Sequence, residues 1–375
     1  MQGYLIRGLG ALFAIAAALV VGTSPARSEA AAYTRELLRI PMAEAGERGL
    51  EALMVRPVAD GRYPLALINH GSPRSATDRP DMTPLAFLPQ ATEFARRGWA
   101  AAVVMRRGFG DSGGGFAETT GPCGNPNYVA AATTGSADLR AAISHLAKRR
   151  DIDPSRIVSV GLSAGGIATV ALTANPPAGL VAAINFAGGR GSPKDNEVCS
   201  EDRLVAAYGV FGKRSRIPML WVYAENDRYF GPALAERFHA AFLAGGGKAE
   251  FVRHPPFGED GHHLFAAGIP LWTRHVDGFL KGQSLVLRET LLPVPIAQIA
   301  PPPQLSEKGR KAFADFLAAA PHRAFAMSSK GAFAWRAGRR TIDAAKEGAL
   351  ERCQKHASDC HIVAVDDDAV QTASK

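Results

Sequence analysis

The stretch that most limits what this chain can fold into is RIVSVGLSAGG, residues 156–166. An apolar run suited to a buried strand breaks into Gly161-x-Ser163-x-Gly165, and the residues that follow, IATVALTA, suit a helix. A serine on so sharp a strand-to-helix turn sits in strained backbone geometry, and only small neighbours let strand and helix pass that closely. Its hydroxyl then stands clear of the sheet, above a helix N-terminus that favours developing negative charge. A glycine-rich turn with a capping serine is the plainer alternative.

From about residue 33 to 281, short apolar runs alternate with amphipathic segments, the pattern of strands and helices in a mostly parallel sheet. LLRIPM and GLEALMVRP read as an opening antiparallel pair, and YPLALIN, WAAAVVM, RIVSVG, LVAAINFAG, IPMLWVYAE and AEFVRHP as further strands. Helices are expected at LAFLPQATEFARRG, at SADLRAAISHLAKRR with Ser136 as N-cap, after Ser163, at ALAERFHAAFLAGGG and at LFAAGIPLWTRHVDGFLK. The fold class predicted is α/β, a mostly parallel sheet of about eight strands with helices on both faces. LLPVPIAQIAPPPQLSE is too rich in proline for a helix or central strand and reads as a stiff linker. The expected domains are therefore 29–290, a linker at 291–306 and a small α+β module at 307–375.

Arg7 followed by ALFAIAAALVVG reads as an export signal ending near Ala26-Arg27-Ser28, so residues 1–28 are expected to be removed and the rest to be periplasmic or secreted. No later run approaches membrane-spanning length. In an oxidising compartment the four cysteines favour two disulfides. Three pairings are open; Cys123 with Cys199 and Cys353 with Cys360 is the one preferred, with free buried thiols as the alternative. The formal charge of +8 comes from dispersed basic residues with no interleaved aromatic pattern, which argues against nucleic acid as a partner.

A serine hydroxyl needs a base, and the base an orienting acid. Asp227 lies just past IPMLWVYAEN, and His262 lies in GEDGHHLF after the next strand, so Ser163, Asp227 and His262 follow successive strands in that order. His263 is the rival base, and Glu225 the rival acid. Glu259, Asp260, His262 and His263 could be called a metal cluster, but no matching ligands recur at characteristic spacing, and no metal or cofactor is expected. Oxyanion donors are expected from the amides of Ala164 and of Ser72 in His70-Gly71-Ser72, with His70 itself structural.

RRGFGDSGGG, residues 106–115, competes for attention. It spells a dinucleotide-binding Gly-x-Gly-x-x-Gly, yet three turn formers and two prolines follow where a helix must open, with no helix expected before Ser136. It also matches a trypsin-like nucleophile loop around Ser112, but the neighbouring segments are helical and parallel-strand in period, not all-β.

INHGS, RRGFGDSGGG, GLSAGG, AENDRYF and GEDGHHLF, in that order, resemble the dienelactone hydrolase and prolyl oligopeptidase-like branch of the α/β-hydrolase superfamily over about residues 45–281. The resemblance implies that the 106–115 stretch only shapes a loop near the active site. The residues above read as a serine hydrolase acting on small-molecule carboxylic esters, because ester cleavage needs only this machinery; short peptides are the alternative substrate, and a non-catalytic envelope-binding protein is another reading. Dienelactone hydrolases carry a cysteine where this chain has Ser163, so their substrate is not implied. The module after the linker resembles small disulfide-bearing modules of exported bacterial proteins and implies no activity.

Overall fold

The computed structural model describes residues 32–294 and 296–370; the expected export signal lies outside them. Eight strands form one sheet: β1 (Tyr33–Ile40), β2 (Leu50–Pro57), β3 (Tyr63–Asn69), β4 (Ala100–Val104), β5 (Ile152–Leu162), β6 (Leu180–Phe186), β7 (Pro218–Ala224) and β8 (Lys248–His254). Their spatial order is β1-β2-β4-β3-β5-β6-β7-β8. The pairs β1/β2 and β2/β4 are antiparallel and the rest parallel.

The apolar runs are continuous, not alternating, because both faces of the sheet are covered. Leu53, Ile68, Val103, Val160 and Val222 pack on one face against α1 (Leu88–Arg96) and α7 (Ile269–Gly282). Met54, Leu67, Ala102 and Ile157 pack on the other against α2 (Tyr128–Leu146) and α3 (Ala164–Thr173). Trp221 and Tyr223 meet α4 (Glu201–Gly212) and α5 (Pro232–Ala244) on that same side. The chain leaves β3 toward β4 on one side and returns to β5 on the other. That reversal opens a crevice at the carboxyl ends of β3 and β5, where open α/β sheets bind ligands.

Three expectations need correction. The helix expected to start at Ser136 starts at Tyr128, with Asn127 as its cap, the side chain accepting from the Ala130 amide at 2.9 Å. Ser136 lies inside it, and its hydroxyl donates to the Thr133 carbonyl oxygen at 2.8 Å. Gly135 looked like a breaker but lies at a close approach, where a Cβ would stand 3.0 Å from Glu118 Oε1 and 3.1 Å from Ala168 Cβ. The second correction is α4, not anticipated between β6 and β7; its Gly209 and Gly212 weaken the helical signal, and a Cβ on Gly212 would overlap the Phe242 carbonyl oxygen of α5. Third, the closing helix is broken into α6 (Leu264–Ala267) and α7 around Gly268 and Pro270.

The linker is irregular throughout its described part, and its first half is pinned: Leu292 exchanges two hydrogen bonds with Arg96, and Tyr33 donates to the Pro293 carbonyl oxygen at 2.9 Å. Beyond it stand α8 (Glu307–Ala318), β9 (Ala324–Met327), β10 (Phe333–Arg336), α9 (Ile342–Gln354), β11 (His361–Val365) and β12 (Asp368–Ala369). These form a second sheet, β10-β9-β11-β12. Phe313 and Phe316 of α8 cover one face, and Ala345, Ala349 and Cys353 of α9 the other. Both preferred disulfides are formed, Cys123–Cys199 with Cα atoms 4.8 Å apart and Cys353–Cys360 with Cα atoms 6.0 Å apart. Among the described residues no helix is long and apolar enough to cross a membrane.

If Asn127 and not Ser136 caps α2, Asn127→Ala should lower unfolding free energy by about 1 kcal/mol, and Ser136→Ala by clearly less, in urea titrations of the oxidised protein.

Candidate active site

Ser163 is the joint between β5 and α3, with φ 54° and ψ −120°. A left-handed φ at a serine costs on the order of 1–3 kcal/mol and persists only where the surroundings impose it. They do so here: the Ser163 amide donates to the Phe186 carbonyl oxygen at 2.9 Å, and its own carbonyl oxygen accepts from the amides of Ile167 and Gly189, each at 3.1 Å. A Cβ on Gly161 would overlap Gly165, and one on Gly165 would overlap Asn69 Oδ1 and the His70 carbonyl oxygen. The glycines are therefore set by the strand passing the helix at contact distance. Asn69 closes the joint from below, its side-chain amide donating to the Val160 carbonyl oxygen at 3.1 Å and to Thr169 Oγ1 at 2.8 Å.

The loop after β3 lies against the serine. A Cβ on Gly71 would be 3.0 Å from Ser163 Cβ and 3.6 Å from its Oγ, so the His70-Gly71-Ser72 backbone borders the hydroxyl. Ala164 is the first residue of α3, where amides lack intrahelical partners. His70 is buried and structural: its Nδ1 is 2.6 Å from the Gly71 carbonyl oxygen, and its Nε2 accepts from the Arg106 amide at 3.0 Å. Burial, with the Arg106 charge adding to it, pushes its pKa well below the ordinary histidine value, so the ring is neutral.

Asp227 and His262 meet at the far side of the crevice. His262 Nδ1 lies 3.0 Å from Asp227 Oδ2 and 3.2 Å from Oδ1. Asp227 Oδ1 also accepts from the amides of Tyr229 (2.7 Å) and Phe230 (2.9 Å), which fixes the carboxylate. The carboxylate sets the Nδ1–H tautomer and leaves Nε2 as the basic nitrogen. A Cβ on Gly261 would be 2.5 Å from Ala224 Cβ, and this close approach holds the histidine turn against the end of β7. His263 is exposed, and Glu225 pairs with Arg253 at 3.0 Å, so neither rival joins the pair. Asp260 is occupied by the amides of His262 and Arg228, and among the described residues no three His, Cys, Asp or Glu side chains are placed to hold a metal ion.

No hydrogen bond among the described residues joins Ser163 Oγ to the imidazole. Gly189, whose amide binds the Ser163 carbonyl oxygen, packs on the Phe230 ring, and that ring stands edge-on to His262 with centroids 5.7 Å apart. The imidazole is held from its other side by Tyr229, stacked at 3.9 Å and 15°. Arg74, two residues past Ser72, lies 3.7 Å above that tyrosine and pairs with Asp195 at 2.7 Å. This layer of arginine, tyrosine and histidine binds the Ser72 loop to the histidine turn.

The 106–115 stretch has neither of its rival roles. Ser112 is buried, donating to the Met105 carbonyl oxygen at 2.7 Å and accepting from the Glu51 amide at 2.9 Å. No helix opens on its glycines; a Cβ on Gly108, at φ 75°, would overlap Phe116. Its Arg106 anchors a feature that the sequence did not announce. Arg106 and Arg190 both pair with Glu118, all three buried, and Arg106 Nη1 also donates to the His70 carbonyl oxygen at 2.7 Å. Burial alone would raise the Glu118 pKa; the two guanidiniums outweigh it and draw the carboxyl below its ordinary value. The Cys123–Cys199 disulfide ties the two loops that carry Glu118 and Arg190.

An eight-stranded α/β sheet with a positive-φ serine after β5, an acid after β7 and a histidine after β8 defines the α/β-hydrolase class. The chain has the α/β-hydrolase fold. The X-Pro dipeptidyl-peptidase (S15) family model matches residues 46–214. No match is found among curated protein sequences. Similar solved structures include a candidate dienelactone hydrolase of Klebsiella pneumoniae, at 18% identity and TM-score 0.46, covering 67% of this chain and 100% of that one. Also similar is a thermophilic esterase of Thermogutta terrifontis, at 19% identity and TM-score 0.46, covering 68% and 94%. An esterase of Pyrococcus furiosus has 13% identity and TM-score 0.44, covering 67% and 90%.

Removing the carboxylate of Glu118 would leave two buried guanidiniums facing each other unpaired. Glu118→Ala should cost about 3–5 kcal/mol in denaturant unfolding, well above an ordinary surface substitution.

Proposed function

We propose that the protein is an exported serine hydrolase that cleaves small carboxylic esters through an acyl-enzyme. The observation that carries this reading is the Asp227–His262 pair after β7 and β8, together with a serine held at positive φ after β5. Ser163 Oγ attacks the acyl carbon while His262 Nε2 takes its proton. Asp227 holds Nδ1–H and stabilises the imidazolium as it forms. The tetrahedral oxyanion accepts from the Ala164 and Ser72 amides. On collapse the alcohol leaves with the proton from His262, and water repeats the sequence to release the acid. Residues 1–28 serve as the export signal, and two disulfides suit an oxidising compartment.

The S15 match favours a second reading, a peptidase acting on short peptides. It covers the serine but ends before Asp227 and His262. Holding the free amino end of a peptide calls for an uncommitted carboxylate. Near the site Glu118 serves two arginines, Asp195 serves Arg74 and Arg228, and Asp260 serves backbone amides. Among the described residues the exposed Glu259, three residues before His262, makes no such pair, so the preference for esters rests on ester cleavage needing only the three residues named above.

Ser163→Ala and His262→Ala should each lower kcat on p-nitrophenyl esters by about 10³-fold or more, and His263→Ala by less than about twofold. Turnover of aminoacyl anilides above that of the esters would replace the ester reading with the peptidase. Full activity in His262→Ala with loss in His263→Ala would reassign the base.

A further inference from the structure

The C-terminal module contacts the main sheet through the turn between β10 and α9, and the contact closes on one glycine of the 106–115 loop. Arg340 donates from Nη1 to Glu51 Oε1 at 3.2 Å and from Nη2 to Glu51 Oε2 at 3.1 Å, and Nη2 also donates to the Met82 carbonyl oxygen. A Cβ on Gly110 would lie 2.6 Å from Glu51 Oε2, 2.7 Å from the Met82 carbonyl oxygen and 2.9 Å from Arg340 Nη2. Gly338, at φ 62°, sets the same turn against Ala86, where a Cβ would be 2.8 Å from the Ala86 Cα.

Glu51 is the hub of that loop. Its carboxylate accepts from the Asp111 amide at 2.8 Å, its amide donates to Ser112 Oγ at 2.9 Å, and its carbonyl oxygen accepts from the Met105 amide at 2.9 Å. Arg340 supplies the cation to a carboxylate whose side chain is only 12% exposed. Arg39 and Arg48 hold Asp111 from the opposite side, so the loop has a second support. From the start of the loop Arg106 reaches the site directly, through its amide to His70 Nε2 and its guanidinium to the His70 carbonyl oxygen. Gly71 comes next, against Ser163, and Ser72 follows it.

We propose that the C-terminal module is a clamp acting in cis on the active site, with Arg340 as a positioning residue. By neutralising Glu51 it holds the 105–112 loop, and through Arg106 and His70 that loop holds the Ser72 amide in register with Ser163. The catalytic consequence rests on the hydrolase reading above; the clamp itself does not.

The test uses the full oxidised chain with Arg340→Ala and Arg340→Lys. Hydrogen exchange is followed in peptides covering 70–74 and 105–113, with β7 and the module's own β9 and α9 as references. The clamp predicts faster exchange in both loop segments of Arg340→Ala while β7, β9 and α9 keep their protection, and partial recovery in Arg340→Lys. On p-nitrophenyl acetate, kcat of Arg340→Ala should fall by about three- to thirtyfold with KM little changed. If Arg340→Ala unfolds the module, Arg340→Lys carries the comparison. Unchanged exchange in both loop segments overturns the clamp, and faster exchange with unaltered kcat overturns the positioning role. A wild type that cleaves no ester counts against the hydrolase reading alone, because exchange reads the clamp without turnover.

Discussion

Everything at the crevice depends on the passage of β5 under α3 at contact distance. The sheet can reverse its winding beside β3 only if the adjoining strand turns sharply, and the turn is sharp only because Gly161 and Gly165 carry no side chain. Ser163 absorbs the remaining strain in its own backbone. Once that joint is made, Asn69 and His70 at the end of β3 are pressed against it, and the loop that follows borders the hydroxyl. The strain is sustained by hydrogen bonds to Phe186 and Gly189 on the adjoining strand and loop.

Around that joint the loops are held by charge rather than by apolar area. Arg106 and Glu118 of the loop after β4 join Arg190 of the loop after β6 in a buried cluster, and Arg74, Tyr229 and His262 join the loops after β3, β7 and β8 in a stacked layer. A buried ion cluster adds little stability compared with an apolar equivalent, but breaking it is costly. That asymmetry suits loops that must keep a fixed position while bordering an open crevice. The disulfide between Cys123 and Cys199 adds a covalent tie on the same side.

Those physical differences explain what could be read from residues alone. Strands buried on both faces announce themselves as unbroken apolar runs, and so YPLALIN and IPMLWVYAE lie where their composition puts them. The Ser163, Asp227 and His262 order was legible for the same reason, each residue following a strand of that kind. Helix α2 was misplaced because its first two turns, YVAAATTG, carry β-branched residues and a glycine whose role is a close approach to Glu118 and Ala168. Helix α4 was hidden in a similar way by glycines facing α5. The arginine clusters left no signal: Arg106 and Glu118 sit twelve residues apart in one irregular loop and Arg190 in another, and nothing periodic in a sequence pairs such positions. Arg340 is the extreme case, its partner Glu51 lying at the other end of the chain.

The central claim is that Ser163, and no other serine, is an activated nucleophile. A fluorophosphonate probe applied to the oxidised protein, followed by digestion and mass mapping, measures this directly. The account predicts a single adduct on the peptide containing Ser163, lost when the protein is unfolded before labelling. Absence of any adduct on the folded protein, or an adduct on Ser112 or another serine, would contradict it.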